Sequence, residues 1–165
     1  MRCQTVLSTN LNAKHLVLVH GWAMNNQVWQ VLIDALEGQF HLHLLHDDWS
    51  DDLDTVLAEL PTQAIWCAWS LGAVLAVRVA VAFPQRVTRL ITIAANPCFV
   101  AQKDWPCGLT ATNFSQFRQG IEQDAVQGLK RFVALQCQGS LSYKQDVRYL
   151  QAKLNEQAIP SLDSL

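Results

Sequence analysis

Apolar residues come first in short continuous runs and later in helical stripes, and that switch divides the chain. Leu16-Val17-Leu18-Val19 is a continuous run that ends in His20-Gly21. A run without alternation predicts a strand covered on both faces, as in a parallel sheet. Asn25 or Asn26 then caps a helix carrying Val28, Trp29, Leu32, Ile33 and Leu36, which Gly38 ends. Phe40 to Leu45 predicts the next strand. Asp51 to Leu60 places Leu53, Val56, Leu57 and Leu60 on one helical face, closed by Pro61. A strand at Ala64–Trp69, a helix from Leu71 to Phe83 stopped by Pro84, and a strand from Val87 to Ala95 complete the series. Alternating strands and helices predict an α/β fold with a doubly wound, mostly parallel sheet.

After Asn96-Pro97 the character changes. Trp105-Pro106 and Gly108 mark an irregular connection. Helical patterns follow over Phe114 to Cys137, broken near Gly120, and over Ser142 to Asn155, with no further β run. Residues 1–96 are therefore expected to form the sheet-bearing core. Residues 97–165 are expected to form a helical cap over the carboxyl ends of the strands, where α/β ligands bind.

Composition narrows the class. Half of the 165 residues are hydrophobic and 16% are charged, which fits one globular domain with a sizeable core. A net charge of −2 argues against nucleic acid as a bulk electrostatic partner. Cys3, Cys67, Cys98, Cys107 and Cys137 are scattered without a C-x-x-C, so reduced, mostly buried thiols and a cytoplasmic setting are expected. Met1 to Asn12 has no signal-peptide apolar region, and no apolar run reaches the ~18 residues of a membrane span.

The chemistry centres on Ala68-Trp69-Ser70-Leu71-Gly72. A small-x-Ser-x-Gly turn joining a buried strand to a buried helix is the nucleophile elbow of α/β-hydrolases. Attack by Ser70 on an ester carbonyl creates an oxyanion that needs two backbone N–H donors. Leu71, at the start of the elbow helix, supplies one. Trp22, in the His20-Gly21-Trp22 loop after the first long strand, supplies the other, with Gly21 allowing a sharp turn. His20 reads as a structural loop residue, because in this fold the base follows the nucleophile in the order Ser, Asp or Glu, His. All five histidines, at 15, 20, 41, 43 and 46, precede Ser70.

Other clusters read more plainly. His41, His43 and His46 alternate, but a zinc site needs further ligands, so a polar sheet edge or strand end is expected and no metal or cofactor. Asp47, Asp48, Asp51, Asp52 and Asp54 read as a helix start and solvated loop, since the glycine and final glutamate of a calcium loop are missing. Lys144 and Arg148 lie one helical turn apart, with Lys130 and Arg131 on the preceding helix. They form either an ordinary solvated face or a docking patch for an acidic partner.

These features resemble the pimeloyl-[acyl-carrier protein] methyl ester esterases of biotin synthesis, α/β-hydrolases, from His15 to about Asp163. The resemblance rests on H-L-V-L-V-H-G-W at His15–Trp22, A-I-W-C-A-W-S-L-G at Ala64–Gly72, P-Q-R-V at Pro84–Val87, N-P-C-F at Asn96–Phe99, D-W-P at Asp104–Pro106 and R-F-V-A-L-Q at Arg131–Gln136. It implies Ser70 as nucleophile and Trp22 and Leu71 at the oxyanion. It further implies that Phe132, Val133, Ala134, Leu135 and Gln136 line an acyl channel. Lys144 and Arg148, with Arg131, match basic residues that hold the carrier protein. Ala68 and Gln127 depart from the family's glycine and arginine, and His46 to Leu53 is shorter and lacks a glycine-rich loop. The family's late strands, with the catalytic aspartate and histidine, have no counterpart. The resemblance thus implies a C-terminally truncated, nearly inactive copy. The alternatives are a hydrolase whose base comes from another chain or from His20, a non-catalytic module that binds acyl chains or carrier protein, or a relative acting on small esters.

Overall fold

A computed structural model describes residues 3–46 and 52–154, in two compact units that meet between Asn96 and Pro97. The first carries β1 (Cys3–Val6), β2 (Lys14–Val19), α1 (Gln30–Leu36), β3 (Phe40–Leu45), α2 (Leu53–Leu57), β4 (Ala64–Trp69), α3 (Leu71–Ala82) and β5 (Val87–Ile93). The strands form one sheet in the order β1-β3-β2-β4-β5. All neighbours run parallel except β1, which pairs antiparallel with β3 through Cys3–Leu45 and Val6–Leu42.

The continuous apolar runs are explained by a core on each face. On one face Val17, Val19, Leu45, Trp66 and Ala68 pack with Val56, Leu57 and Leu60 beneath them and with Leu75, Ala76 and Val79 of α3. On the other, Leu16, Leu18, Leu42, Leu44 and Cys67 meet Trp29 and the half-buried Leu32, Ile33 and Leu36 of α1. Successive strand residues point to opposite faces, so a strand covered twice must be apolar throughout.

Several boundaries differ from the pattern reading. The first helix begins as a 3-10 turn at Asn26–Trp29, capped by the Asn25 side chain, before α1 proper. Asp52 caps α2 by accepting from the Asp54 N–H at 3.1 Å, while Asp47, Asp48 and Asp51 lie outside the described residues. β5 stops at Ile93 because Ala94 adopts φ 46°, which extended backbone does not tolerate. Among the described strands β5 is the outermost, and its Leu90, Ile91 and Ile93 are exposed.

Arg86 ties the end of α2 to the connection before β5. Its guanidinium donates to the carbonyls of Leu57, Leu60 and Pro61 at 3.0, 3.2 and 3.1 Å. Leu57 is the last residue of α2, and a cation beside a helix C-terminus is favoured by the backbone dipoles. Arg86→Ala is expected to lower unfolding free energy by about 2 kcal/mol, measured by urea denaturation. An unchanged midpoint would show that water replaces the guanidinium without loss.

The second unit opens with an irregular segment bridged at Val100–Leu109 and Gln102–Trp105. Three helices follow: α4 (Ala111–Gln123), α5 (Ala125–Gln136) and α6 (Tyr143–Leu154). The break falls at Asp124, whose carboxylate caps α5 by accepting from the Gln127 N–H at 3.0 Å, and not at Gly120. Gly128 lets α5 approach α4, since a Cβ there would lie 2.6 Å from Ile121 Cδ1. The Gln151 side chain donates to the Lys130 carbonyl at 3.1 Å and joins α6 to α5.

Among the described residues no helix is long and apolar enough to cross a membrane. All five cysteines are free thiols. Cys3, Cys67 and Cys137 are buried as expected, whereas Cys107 is exposed and Cys98 half-buried. Burial pushes the thiols of Cys3, Cys67 and Cys137 up, which keeps them protonated and inert.

Candidate active site

Ser70 stands between the last residue of β4 and the first of α3 with φ 53° and ψ −122°. An L-residue takes this conformation only when its surroundings enforce it. Two backbone bonds do so here. The Ser70 N–H donates to the Ile93 carbonyl at 3.0 Å, and the Ser70 carbonyl accepts from Ala73 N–H at 2.9 Å. No side-chain cap occupies the helix start, so the Ser70 hydroxyl is not spent on α3.

Two glycines make the crossing possible. A Cβ on Gly72 would lie 2.4 Å from the His20 carbonyl oxygen and 2.6 Å from that of Val19. A Cβ on Gly21 would lie 3.0 Å from the Ser70 Cβ. The loop after β2 is therefore pressed against the elbow. The sharp turn expected of Gly21 is instead made at Ala23, with φ 62°; Gly21 is required for room. Ala68 is fully buried, so the space beside the elbow admits one methyl.

The same loop fixes the orientation of one peptide. The Gly21 carbonyl accepts from Met24 N–H at 3.3 Å and lies 2.9 Å from His20 Nδ1, which must donate because a carbonyl oxygen only accepts. The Gly21 C=O and the Trp22 N–H belong to one planar unit and point in opposite directions. Holding the carbonyl end thus aims the Trp22 N–H. His20 is buried in the position of a structural loop residue, and Trp22 is buried as well. Leu71 begins α3, so its N–H is among those a helix cannot bond internally. The Gly21 contact and the Ile93 acceptor leave no trace in spacing, because both are fixed by chain crossings.

The remaining residues distribute as follows. Phe132 to Gln136 lie on α5, and burial separates them: Val133 is buried, Phe132 and Ala134 half-buried, Leu135 and Gln136 exposed. Phe132 joins an aromatic group with Phe99, Phe114 and Phe117, with ring centroids 5.4 to 6.4 Å apart. Arg131 on α5 and Lys144 and Arg148 on α6 are exposed.

The histidines correct an expectation. His41 and His43 are buried, because β1 covers the flank of β3 that was read as an edge. His46 is exposed just after β3. His43 Nε2 lies 2.9 Å from His15 Nδ1, and His41 Nδ1 accepts from the Ser8 N–H at 3.1 Å. Burial, with His15 and His41 adding repulsion, pushes His43 down to about 4. Among the described residues no group of three or more His, Cys, Asp or Glu side chains is placed to hold a metal.

A serine on a strained strand-to-helix turn, with a second loop pressed against it, is a family arrangement, and residues 16–158 match the sequence profile of the alpha/beta hydrolase family. The chain belongs to the alpha/beta hydrolase family. Among curated relatives of this alpha/beta hydrolase is the pimeloyl-[acyl-carrier protein] methyl ester esterase of Pectobacterium carotovorum subsp. carotovorum (strain PC1). It is 40% identical over 162 residues, covering 91% of this chain and 63% of the relative. The enzyme of that name from Klebsiella pneumoniae is 37% identical, covering 92% and 63%. The chain thus spans about 63% of the length of the curated relatives it matches. A hydrolase from Oleispira antarctica superposes with a TM-score of 0.76 at 14% identity, covering 94% of this chain and 64% of that one. An esterase from Exiguobacterium antarcticum does so at 0.75 and 16%, with the same coverage. Both likenesses concern the fold.

Proposed function

We propose that this alpha/beta hydrolase is a serine carboxylesterase of biotin synthesis that hydrolyses the methyl ester of pimeloyl-acyl carrier protein in the cytoplasm. The observation that carries the reading is the Ser70 backbone, held at φ 53° on the elbow with Gly21 packed against it. The relatives bearing that esterase name, at 36–40% identity, support the substrate.

In this reading Ser70 Oγ attacks the ester carbonyl, and the hydroxyl proton passes to the departing methoxide, which leaves as methanol. Water then cleaves the acyl-Ser70 ester to release the free carboxylate. The developing oxyanion is received by the N–H groups of Trp22 and Leu71. His20 is a positioning residue, since its bond to the Gly21 carbonyl aims the Trp22 N–H. Losing one oxyanion donor raises such a barrier by ~2.7–4 kcal/mol. Phe132 to Gln136 line the acyl path, mainly through Phe132 and Ala134. Lys144, Arg148 and Arg131 meet the acidic carrier protein.

One observation favours a second reading. No histidine follows Ser70 in these 165 residues, and Ser70 needs a base. In the second reading no base engages Ser70, and the protein binds acyl chains or carrier protein without turning them over. The effect of Ser70→Ala on hydrolysis of p-nitrophenyl butyrate and of pimeloyl-acyl carrier protein methyl ester separates the two. Triad members act as a unit, so an engaged serine loses about 10⁶ in rate on substitution, whereas a serine without a base loses almost nothing. A large loss supports the esterase. A ratio near one, with carrier-protein binding that Lys144→Glu and Arg148→Glu weaken, supports the binding module. Neither turnover nor binding overturns both.

A further inference from the structure

At the end of the sheet remote from Ser70, the strand starts of β2, β4 and β5 surround an open cavity of about 430 Å³. Ser70 lies roughly 17 Å away along β4. The cavity wall includes Lys14, His15, Thr62, Gln63, Thr88 and Arg89, and among the described residues no carboxylate lines it. Among the described residues neither Lys14 nor Arg89 forms an ion pair. The wall is also distorted at this point. Ala64 pairs with Val87 but Ile65 pairs with Arg89, so Thr88 is an extra residue with no partner on β4. A bulge of this kind re-aims the side chains beside it and is common next to binding sites.

We propose that this cavity binds a small dianion, a phosphate monoester or a dicarboxylate, between Lys14 and Arg89. A guanidinium presents paired donors that match two oxygens of such a group, and an ammonium adds a point charge. The hydroxyls of Thr62 and Thr88 and the Gln63 amide supply neutral donors. The site lies on the opposite end of the sheet from the elbow and is independent of the esterase reading.

His15 provides an internal reporter. Burial and the neighbouring His41 hold its imidazole below the usual histidine range. The groups in contact with its ring are His41 and His43 on β3, with Thr5 of β1 in contact with His43, while Lys14 and Arg89 line the same cavity. A dianion in the cavity places negative charge near the imidazole, opposes the effect of His41 and raises the His15 titration.

The test is an NMR titration of the 165-residue chain at constant ionic strength, with phenyl phosphate and separately with glutarate as probes. The His15 signals are assigned by their loss in His15→Gln. Saturable shifts and an upward move of the His15 midpoint are expected, and Lys14→Gln with Arg89→Gln should weaken binding about tenfold or more. Both substituted side chains are exposed, and Lys14→Arg serves as a folded control that keeps binding. Saturation by phenyl phosphate alone upholds the site and assigns it to phosphate monoesters; saturation by both probes upholds it for dianions generally. A linear, non-saturating response, or equal saturation in the double variant, overturns the proposal.

Discussion

Gly72→Ala is expected to cost about 3 kcal/mol of unfolding free energy and roughly 10 °C in Tm. The added methyl meets two backbone carbonyl oxygens, at 2.4 and 2.6 Å, and neither is the flexible end of a side chain. Relief requires α3 to move off β2, which pulls Leu75, Ala76 and Val79 away from the sheet and opens that core. Gly120→Ala is the matched control. Gly120 sits inside α4 with nothing within 4 Å of its added methyl, so alanine there should stabilise by about 0.5–1 kcal/mol. Thermal melts of both variants check the pair. A Gly72→Ala protein that melts with the parent would mean that the elbow helix is not seated against β2.

Acid should destabilise the protein through His43 of β3. His43 titrates near 4 in the folded chain, whereas an unfolded histidine titrates near 6.5. Above pH 6.5 both states leave it neutral and it contributes no pH dependence. Between pH 6.5 and 4 the unfolded state takes up the proton first, so stability falls with falling pH, by about 3 kcal/mol across the window. Below 4 the folded state binds the proton too and the loss levels off. His15, also held low, acts in the same direction. Urea denaturation at a series of pH values measures the slope, and His43→Gln, which keeps a hydrogen-bonding side chain without the titration, should flatten it. A parent slope no steeper than that of His43→Gln would mean that His43 is solvated.

The sheet was legible wherever burial on both faces forces continuous apolar residues, as at Leu16–Val19 and Ala64–Trp69. β1 was not, because Cys3-Gln4-Thr5-Val6 carries neither period, and its strand exists only through pairing with β3. The helix break was misplaced for a different reason. Gly120 is the stronger breaker by propensity, but tertiary freedom lets it stay helical, while the Asp124 cap ends one helix and starts the next. At the site, Ser70 and the two small positions around it were readable from spacing. The grip of His20 on the Gly21 carbonyl was not, nor was the His15–His43 contact, which joins residues 28 apart. The cavity at Lys14 and Arg89 depends on three strand starts and a bulge, none of which a linear pattern records.

The bond from the Ser70 N–H to the Ile93 carbonyl ties the elbow to the last residue of β5. Strand ends open locally at lower free energy than strand centres. Each time the end of β5 frays, Ser70 loses the acceptor that helps to hold its left-handed backbone. The nucleophile's geometry therefore depends on two strands, β4, which carries the residue, and β5, whose last carbonyl holds its N–H.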